Sequence, residues 1–237
     1  MPSLKDKTVL IIGRGSGIAR AIAMAVSEDG GRVIVAGRHP DDLSAAYHGL
    51  DMGVEQVDVS DESSIAALAG RIAAVDHVVC TASARARGAY RDLTASTVNA
   101  TFGTKVTGPL LLAKHFAGSV APGGSFLFMS GATALKPAPG MLAVAATNAA
   151  VDAITAGLAV ELAPVRVNAI APGTIDTGAY DALGDERKAA LFKTRSETAP
   201  ARRIGTAGDI AAVALAVLAN GYLTGASIPV DGGEHLV

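Results

Sequence analysis

Three glycines spaced two apart, Gly13, Gly15 and Gly17, open the turn Gly13-Arg14-Gly15-Ser16-Gly17-Ile18-Ala19. Without side chains there, the main chain can approach a pyrophosphate, and the N–H groups that begin the next helix turn partial positive charge towards it. Gly13, Arg14, Ser16, Gly17 and Ile18 are therefore candidate phosphate-side contacts of a dinucleotide. The bland alternative is a tight turn with no ligand. Context argues against it, because the turn joins the apolar, β-branched run Thr8–Ile12 to a helical pattern over Gly17–Glu28.

A second chemical position lies at the end of the next apolar run, Val33–Ala36, where an NAD-selective site carries an acid for the ribose hydroxyls. This chain has Gly37-Arg38 instead, with Arg14 in the glycine turn. Two guanidinium groups suit a 2′-phosphate, which each can grip with paired hydrogen bonds, so NADP(H) is expected over NAD(H). Arg38 could also be a solvated surface charge. Asp58, past the third apolar run, is placed near the adenine and can close an Asx turn as well.

The elements that must hold these residues alternate. Apolar runs at Thr8–Ile12, Val33–Ala36, Val54–Val57, Asp76–Cys80, Ser125–Met129, Val165–Ile170 and Ser227–Val230 read as strands. Helical patterns fall between them over Gly17–Glu28, Asp41–His48, Ser60–Ala73, Thr94–Phe116, Met141–Leu162 and Thr206–Leu218. Gly103, Gly108 and Pro109 interrupt the fourth of these. Continuously apolar strands that alternate with helices make an α/β fold with one doubly wound, Rossmann-like parallel sheet of about seven strands and helices on both faces. No linker divides the chain, so residues 1–237 are expected to form a single dinucleotide-binding domain.

Composition excludes several classes. The 237 residues are 50% hydrophobic and 18% charged, which is too apolar for a disordered chain. A net charge of −2 lacks the cationic excess that nucleic acid demands, so no nucleic-acid partner is expected. The first apolar run is too short for a signal peptide, and the longest apolar stretches, such as Ile210–Leu218, are too short to span a bilayer. The single cysteine, Cys80, fits a reducing compartment and reads as a small buried residue rather than a nucleophile. A cytoplasmic protein without a membrane partner is expected. His77 and His115 have no neighbours at metal-ligand spacing, so no metal site is expected.

The order of these motifs resembles the short-chain dehydrogenase/reductase family over almost the whole chain. Gly13-x-x-x-Gly17-Ile18-Ala19 stands where the family has Gly-x-x-x-Gly-Ile-Gly, and Asp58-Val59 matches its adenine-contacting pair. Pro172-Gly173 with Ile175 and Thr177 matches the turn that the family places around nicotinamide. Arg203-Ile204-Gly205 with Asp209-Ile210-Ala211, and Thr224-Gly225 with Asp231-Gly232-Gly233, match its C-terminal stretches. Cys80-Thr81-Ala82-Ser83 replaces its Asn-Asn-Ala-Gly turn, with Ala82 a cofactor contact. The resemblance implies a dinucleotide cofactor and carbonyl/alcohol oxidoreduction.

It also implies four catalytic residues, and this chain departs at each. Val144 takes the place of the family's Tyr, Asn148 that of the Lys one helical turn later, Gly131 that of the Ser, and Lys105 that of the Asn. Val cannot transfer a proton. Lys105 and Asn148 look like an exchange of the family's Asn and Lys, and are expected to form a polar pair near the nicotinamide ribose. In that pair Lys105 supplies charge or a proton and Asn148 bonds a ribose hydroxyl. Alternatively Lys105 reaches solvent and Asn148 only satisfies main-chain groups. Ser130, Thr133 and Thr147 are further candidate hydroxyls, and Thr174–Pro200, with Tyr180 and a helix over Asp185–Lys193, reads as a substrate lid or a plain surface loop.

Three functions follow as expectations: an NADP(H)-dependent oxidoreductase with a non-standard proton donor, a catalytically silent NADP(H)-binding sensor or partner subunit, and a non-redox isomerase or lyase on the same scaffold. The apolar Met141–Leu162 helix, with the family's pairing of long helices, leads us to expect a homodimer or homotetramer.

Overall fold

Alternate residues of a strand face opposite sides, and the first strand shows what this does to the whole molecule. In the computed structural model, which describes residues 3–237, strand β1 (Thr8–Ile12) sends Val9 and Ile11 into one apolar cluster and Leu10 and Ile12 into another. A strand buried on both faces needs helices on both. The first cluster packs beneath α1 (Gly17–Glu28), which follows β1, and the chain returns through β2 (Arg32–Gly37), α2 (Pro40–Ala46) and β3 (Met52–Gln56).

The next helices build the opposite face, and the last long one, Ala207–Ala219, returns to pack against α1. Helix α3 (Glu62–Arg71), capped by the Asp61 carboxylate on the Ser63 N–H, leads to β4 (Val75–Cys80). Then come α4 (Ala95–Phe102), α5 (Gly108–Phe116), β5 (Val120–Met129), α6 (Leu142–Glu161) and β6 (Arg166–Pro172). A short pair, β7 (Ile175–Asp176) and β8 (Gly205–Thr206), brackets α7 (Asp185–Thr198), and α8 (Ala207–Ala219) precedes β9 (Ser227–Val230). The main sheet has seven parallel strands in the order β3-β2-β1-β4-β5-β6-β9, with helices on both faces as expected.

Both ends of α8 are satisfied by side chains. Thr206 and Asp209 form a reciprocal capping box at the start of α8. At its other end the buried Arg166 guanidinium donates to the carbonyls of Val217, Leu218 and Leu223, at 3.1, 2.8 and 3.1 Å.

Two sequence expectations change. The helix expected over Thr94–Phe116 is continuous in path but widens over Gly103–Thr107 into a π-helical turn between α4 and α5. Pro109 has no N–H, and its ring would press on the carbonyl four residues earlier, that of Lys105. The wider turn accommodates it and turns Lys105 inward, to 6% exposure. The apolar helix expected over Met141–Leu162 is α6, but the expectation that no stretch could span a bilayer changes. By length and composition α6 is enough to cross one, with a mean hydropathy of 1.5 over 18 of its residues, although here the helix packs on β5 and β6 and against α4 and α5.

Phe116 is fully buried in the second cluster, among Leu112, Phe126 and Phe128. Truncating Phe116→Ala should therefore cost about 3–5 kcal/mol of unfolding free energy in urea titration. Tyr222→Ala, at a 98% exposed position, should stay within about 0.5 kcal/mol.

Candidate functional site

The strand order reverses at β1, between β2 and β4, and in such sheets a crevice opens beyond the carboxyl ends of those strands. A cleft of about 1080 Å³ lies there. It is bordered by Gly13, Arg14, Ser16, Gly17 and Ile18 from the first turn, by Arg38, Asp58 and Val59 beside it, and by Ala82 after β4. Lys105, Ser130, Gly131, Val144 and Asn148 border its middle, and Pro172, Gly173, Ile175 and Thr177 its far wall. The fold thus brings the candidate cofactor positions and, except for Thr147, the candidate catalytic positions named above to one cavity.

The glycine turn is shaped for close approach. Gly17 has φ of +58°, and a Cβ there would lie 3.0 Å from the Thr177 Cβ. The Ser16 hydroxyl makes no capping bond, and no acid sits in the first turn of α1, so its leading N–H groups stay free for an anion. Arg14 and Arg38 are exposed, and neither makes a hydrogen bond or ion pair with another described residue. The Asp58 carboxylate accepts from the Ser60 N–H at 2.9 Å and its hydroxyl at 2.6 Å, which is the Asx-turn role foreseen for it.

The middle of the cleft departs from expectation. Lys105 and Asn148 do not bond each other. Lys105 Nζ donates to the Ser130 carbonyl at 3.0 Å, and the Ser130 hydroxyl donates to the Asn148 main-chain carbonyl at 3.1 Å. Ser130 therefore stands between them as a bridge. The Asn148 amide nitrogen donates to Thr133 Oγ1 at 2.7 Å, while its Oδ1 is buried with no partner among the described residues. Whichever way that amide is turned, one of its two polar atoms is left for a ligand. Such an orphan, beside uncapped N–H groups and two free guanidiniums, fits a dinucleotide that carries hydroxyls and phosphates.

Lys105 does not reach solvent. Its removal from water pushes its pKa down to about 7, and the nearby Arg85 guanidinium pushes the same way, against the opposing pull of Asp152. A lysine that titrates there can both give and take a proton near neutrality. Thr147 drops out as a candidate, because its hydroxyl is spent on the Ala143 and Val144 carbonyls inside α6. Cys80 is buried and its thiol is raised to about 11 by burial, so it stays protonated. His77 is held neutral, its pKa lowered to about 4 by burial, and bonds Ser125. Among the described residues no group of His, Cys, Asp and Glu side chains could hold a metal ion.

The lid segment is built differently from its sequence reading. Helix α7 runs past Lys193 to Thr198 and buries no residue of its own. Tyr180 borders the cleft, edge-on to Phe192 with ring centroids 5.6 Å apart. Sequence reasoning also missed Arg85, Arg87 and Arg195, which line the cleft. The available signal was the pair of arginines in Ala84-Arg85-Ala86-Arg87, directly after β4.

Comparison with known proteins agrees with this geometry. A family model described as enoyl-(acyl carrier protein) reductase matches residues 12–235. The short-chain dehydrogenase/reductase ucsE of Acremonium sp is 31% identical, covering 98% of this chain and 96% of its own. A small-chain dehydrogenase solved in complex with NADPH is 32% identical, with a TM-score of 0.83, covering 98% of this chain and 100% of that one. The MalC reductase/Diels-Alderase of Malbranchea aurantiaca is 28% identical, with a TM-score of 0.91 over 99% of this chain and 98% of its own.

One contact in the site is open to a direct test. A Cβ at Gly131 would fall 2.5 Å from the Asn148 amide nitrogen, so the Asn side chain fills the space that a larger residue at 131 would need. Gly131→Ala should cost about 1–3 kcal/mol through overpacking. In an Asn148→Ala background the same change should cost little, giving a coupling of about 1 kcal/mol or more in a urea-monitored double-mutant cycle.

Proposed function

The chain belongs to the short-chain dehydrogenase/reductase family of nicotinamide-dependent oxidoreductases, and on that premise we propose that it is an NADP(H)-dependent oxidoreductase of a small carbonyl or alcohol substrate with Lys105 as its proton donor and acceptor. The observation that carries this reading is the buried lysine, held near neutrality at the middle of the dinucleotide cleft.

The chain's residues divide the work along the cleft. The free N–H groups of the first turn would hold the pyrophosphate, Arg14 and Arg38 would take the 2′-phosphate, and Asp58 and Val59 would flank the adenine. Ala82, Pro172, Gly173, Ile175 and Thr177 would border the nicotinamide, and the unpartnered Asn148 amide atom would take a ribose hydroxyl. When bound, the nicotinamide supplies or accepts the hydride. In reduction the Lys105 ammonium donates its proton to the substrate oxygen as that oxygen becomes an alcohol. In oxidation the neutral amine takes the proton back, and the open cleft re-equilibrates the lysine with solvent. Val144, at the position that the family resemblance gives to the proton-transferring tyrosine, offers only an apolar surface.

A second reading, a non-redox isomerase or lyase, draws support from the same lysine, since a near-neutral amine can also remove a proton beside a carbonyl. The MalC neighbour, described as a reductase/Diels-Alderase, is a related fold with a second activity. Measuring NADPH binding by fluorescence, then NADPH oxidation across aldehydes, ketones, quinones and imines, separates the readings. Turnover supports the oxidoreductase, tight binding without turnover supports a silent sensor or partner subunit, and no nucleotide binding supports the non-redox enzyme.

Two outcomes are expected. Arg38→Ala should weaken NADPH about tenfold or more and leave NADH nearly unchanged in fluorescence titration, because only NADPH carries the phosphate. For Lys105 the sign follows from which form acts. The ammonium is the donor in reduction, so the rate should be level below about pH 7 and fall roughly tenfold per unit above it, and in oxidation the profile should reverse. Lys105→Met should cost about 10²–10⁴-fold in kcat and abolish that limb of the profile.

A further inference from the structure

We propose that the substrate carries a carboxylate close to its reacting group, and that Arg85 and Arg87 receive it. This rests on the oxidoreductase reading above and names its substrate class.

The charge on the cleft wall is lopsided. Its carboxylates are Asp42, Asp58 and Glu234. Asp58 is engaged by Ser60, and Glu234 accepts from the Thr174 N–H and hydroxyl, each at 2.9 Å. Asp42 stands on α2 beside β2, across the strand reversal from Lys105. The cations are not balanced in this way. Arg85 and Arg87 follow β4, on the same side of the reversal as Lys105 and Ser130. Neither makes a hydrogen bond or an ion pair with any described residue.

Arg85 is exposed to the cleft, and its neighbours in charge are Arg87, Tyr180, Arg14 and Lys105, with no carboxylate among them. Cations crowded together without a paired carboxylate are stabilised by an anion that arrives with the ligand. Arg87 is already oriented for one. Its guanidinium carbon lies 5.4 Å above the Tyr180 ring, and that ring is steadied edge-on by Phe192. A planar guanidinium held on an aromatic face presents its fork to a carboxylate with little ordering left to do. Val144, Met141, Ala138, Leu183 and Leu191 add apolar surface to the same cleft, which suits an apolar body on the ligand. A carboxylate on the arginines would also counter the pressure that Arg85 exerts on Lys105, keeping the proton on the lysine for reduction.

Because Arg85 also neighbours Arg14, the same oxyanion chemistry could come from the cofactor's phosphates. Two probes and two readouts separate the sources. The probes are 2-oxo-4-phenylbutanoate and its ethyl ester, which share an apolar body and a carbonyl but differ in charge. Their binding to NADPH-saturated protein is measured by calorimetry, and NADPH affinity is measured separately by fluorescence, for the wild type and for Arg85→Gln, Arg87→Gln and the double variant. The glutamines keep bulk and polarity, and circular dichroism confirms each fold.

The acid should bind about tenfold or more tightly than the ester in the wild type, with the preference weakening in salt and vanishing in the double variant while NADPH affinity holds. Equal binding of acid and ester, or failure of both to bind, overturns the proposal. So does a loss confined to NADPH affinity, which would assign the arginines to the cofactor. Should the wild type not bind NADPH at all, the oxidoreductase reading falls by itself, and the acid-over-ester comparison on the free protein still decides the carboxylate site.

Discussion

At the reversal of strand order, one carbonyl closes the ladder that joins the two halves of the molecule. Ile12, the last residue of β1, accepts from both the N–H and the hydroxyl of Thr81, at 2.8 and 3.1 Å, and so ties the end of β1 to the end of β4. On the other side the Gly13 N–H donates to the Ala36 carbonyl of β2 at 2.9 Å. These bonds bring three strand ends together where the chain must also turn away into α1. There is no room for side chains. A Cβ on Gly13 would lie 2.8 Å from the Ala19 Cβ and collide with the Thr81 hydroxyl, and one on Gly37 would lie 2.7 Å from the Gly13 carbonyl. The cleft exists because these backbones meet and then diverge. Each binding residue inherits its position from that divergence.

The chemistry at the middle of the cleft depends on a different economy. Lys105 is buried with one protein acceptor, the Ser130 carbonyl. Asp152, the nearby acid, is itself engaged by the Ser227 hydroxyl at 2.6 Å. A buried ammonium with so little compensation is unstable relative to the neutral amine, which is why the group titrates near neutrality instead of remaining fully charged. The π-turn forced by Pro109 delivers the side chain to this place. Asn148 and Gly131 complete the arrangement: the amide lies where a side chain at 131 would otherwise stand, and Thr133 anchors it. These positions form one packed unit, joined through Ser130 rather than by a direct lysine–amide bond.

How much of this was legible depends on the range of the forces involved. The strand and helix order was legible because burial on both faces imposes continuous apolar runs, and the glycine turn because steric exclusion leaves only one residue type. Helix α7 ran past its expected end because no buried face marked its limits, and its polar sequence carries little periodic signal. The π-turn was visible only as a disturbance, through Gly103, Gly108 and Pro109. Periodicity cannot say how a helix will absorb a proline. The bridge through Ser130 and the loss of Thr147 were not legible, since they depend on rotamers and on carbonyls brought together from β5 and α6. Arg85 and Arg87 escaped for a related reason: an arginine in a loop reads as a solvated charge until the opposite wall of the cleft is known.

The distribution of charge along the cleft then limits what the site can do. Arg14 and Arg38 stand on the β1–β2 side, where a nucleotide's phosphates are expected, and Arg85 and Arg87 stand beyond the reversal, with Lys105 beneath them. A site that only gripped phosphates would gain nothing from a lysine whose burial loosens its proton, because a neutral amine attracts no anion. A site that only moved protons would gain nothing from unpaired guanidiniums beside that lysine, because they hold its proton less tightly. Both features are reconciled when a ligand brings its own negative charge into the space between them. Its arrival offsets the crowding of cations and raises the lysine's hold on its proton as the reacting oxygen comes within reach. Charge recognition and proton supply are then one electrostatic event, set by the approach of the β4 loop to the π-turn.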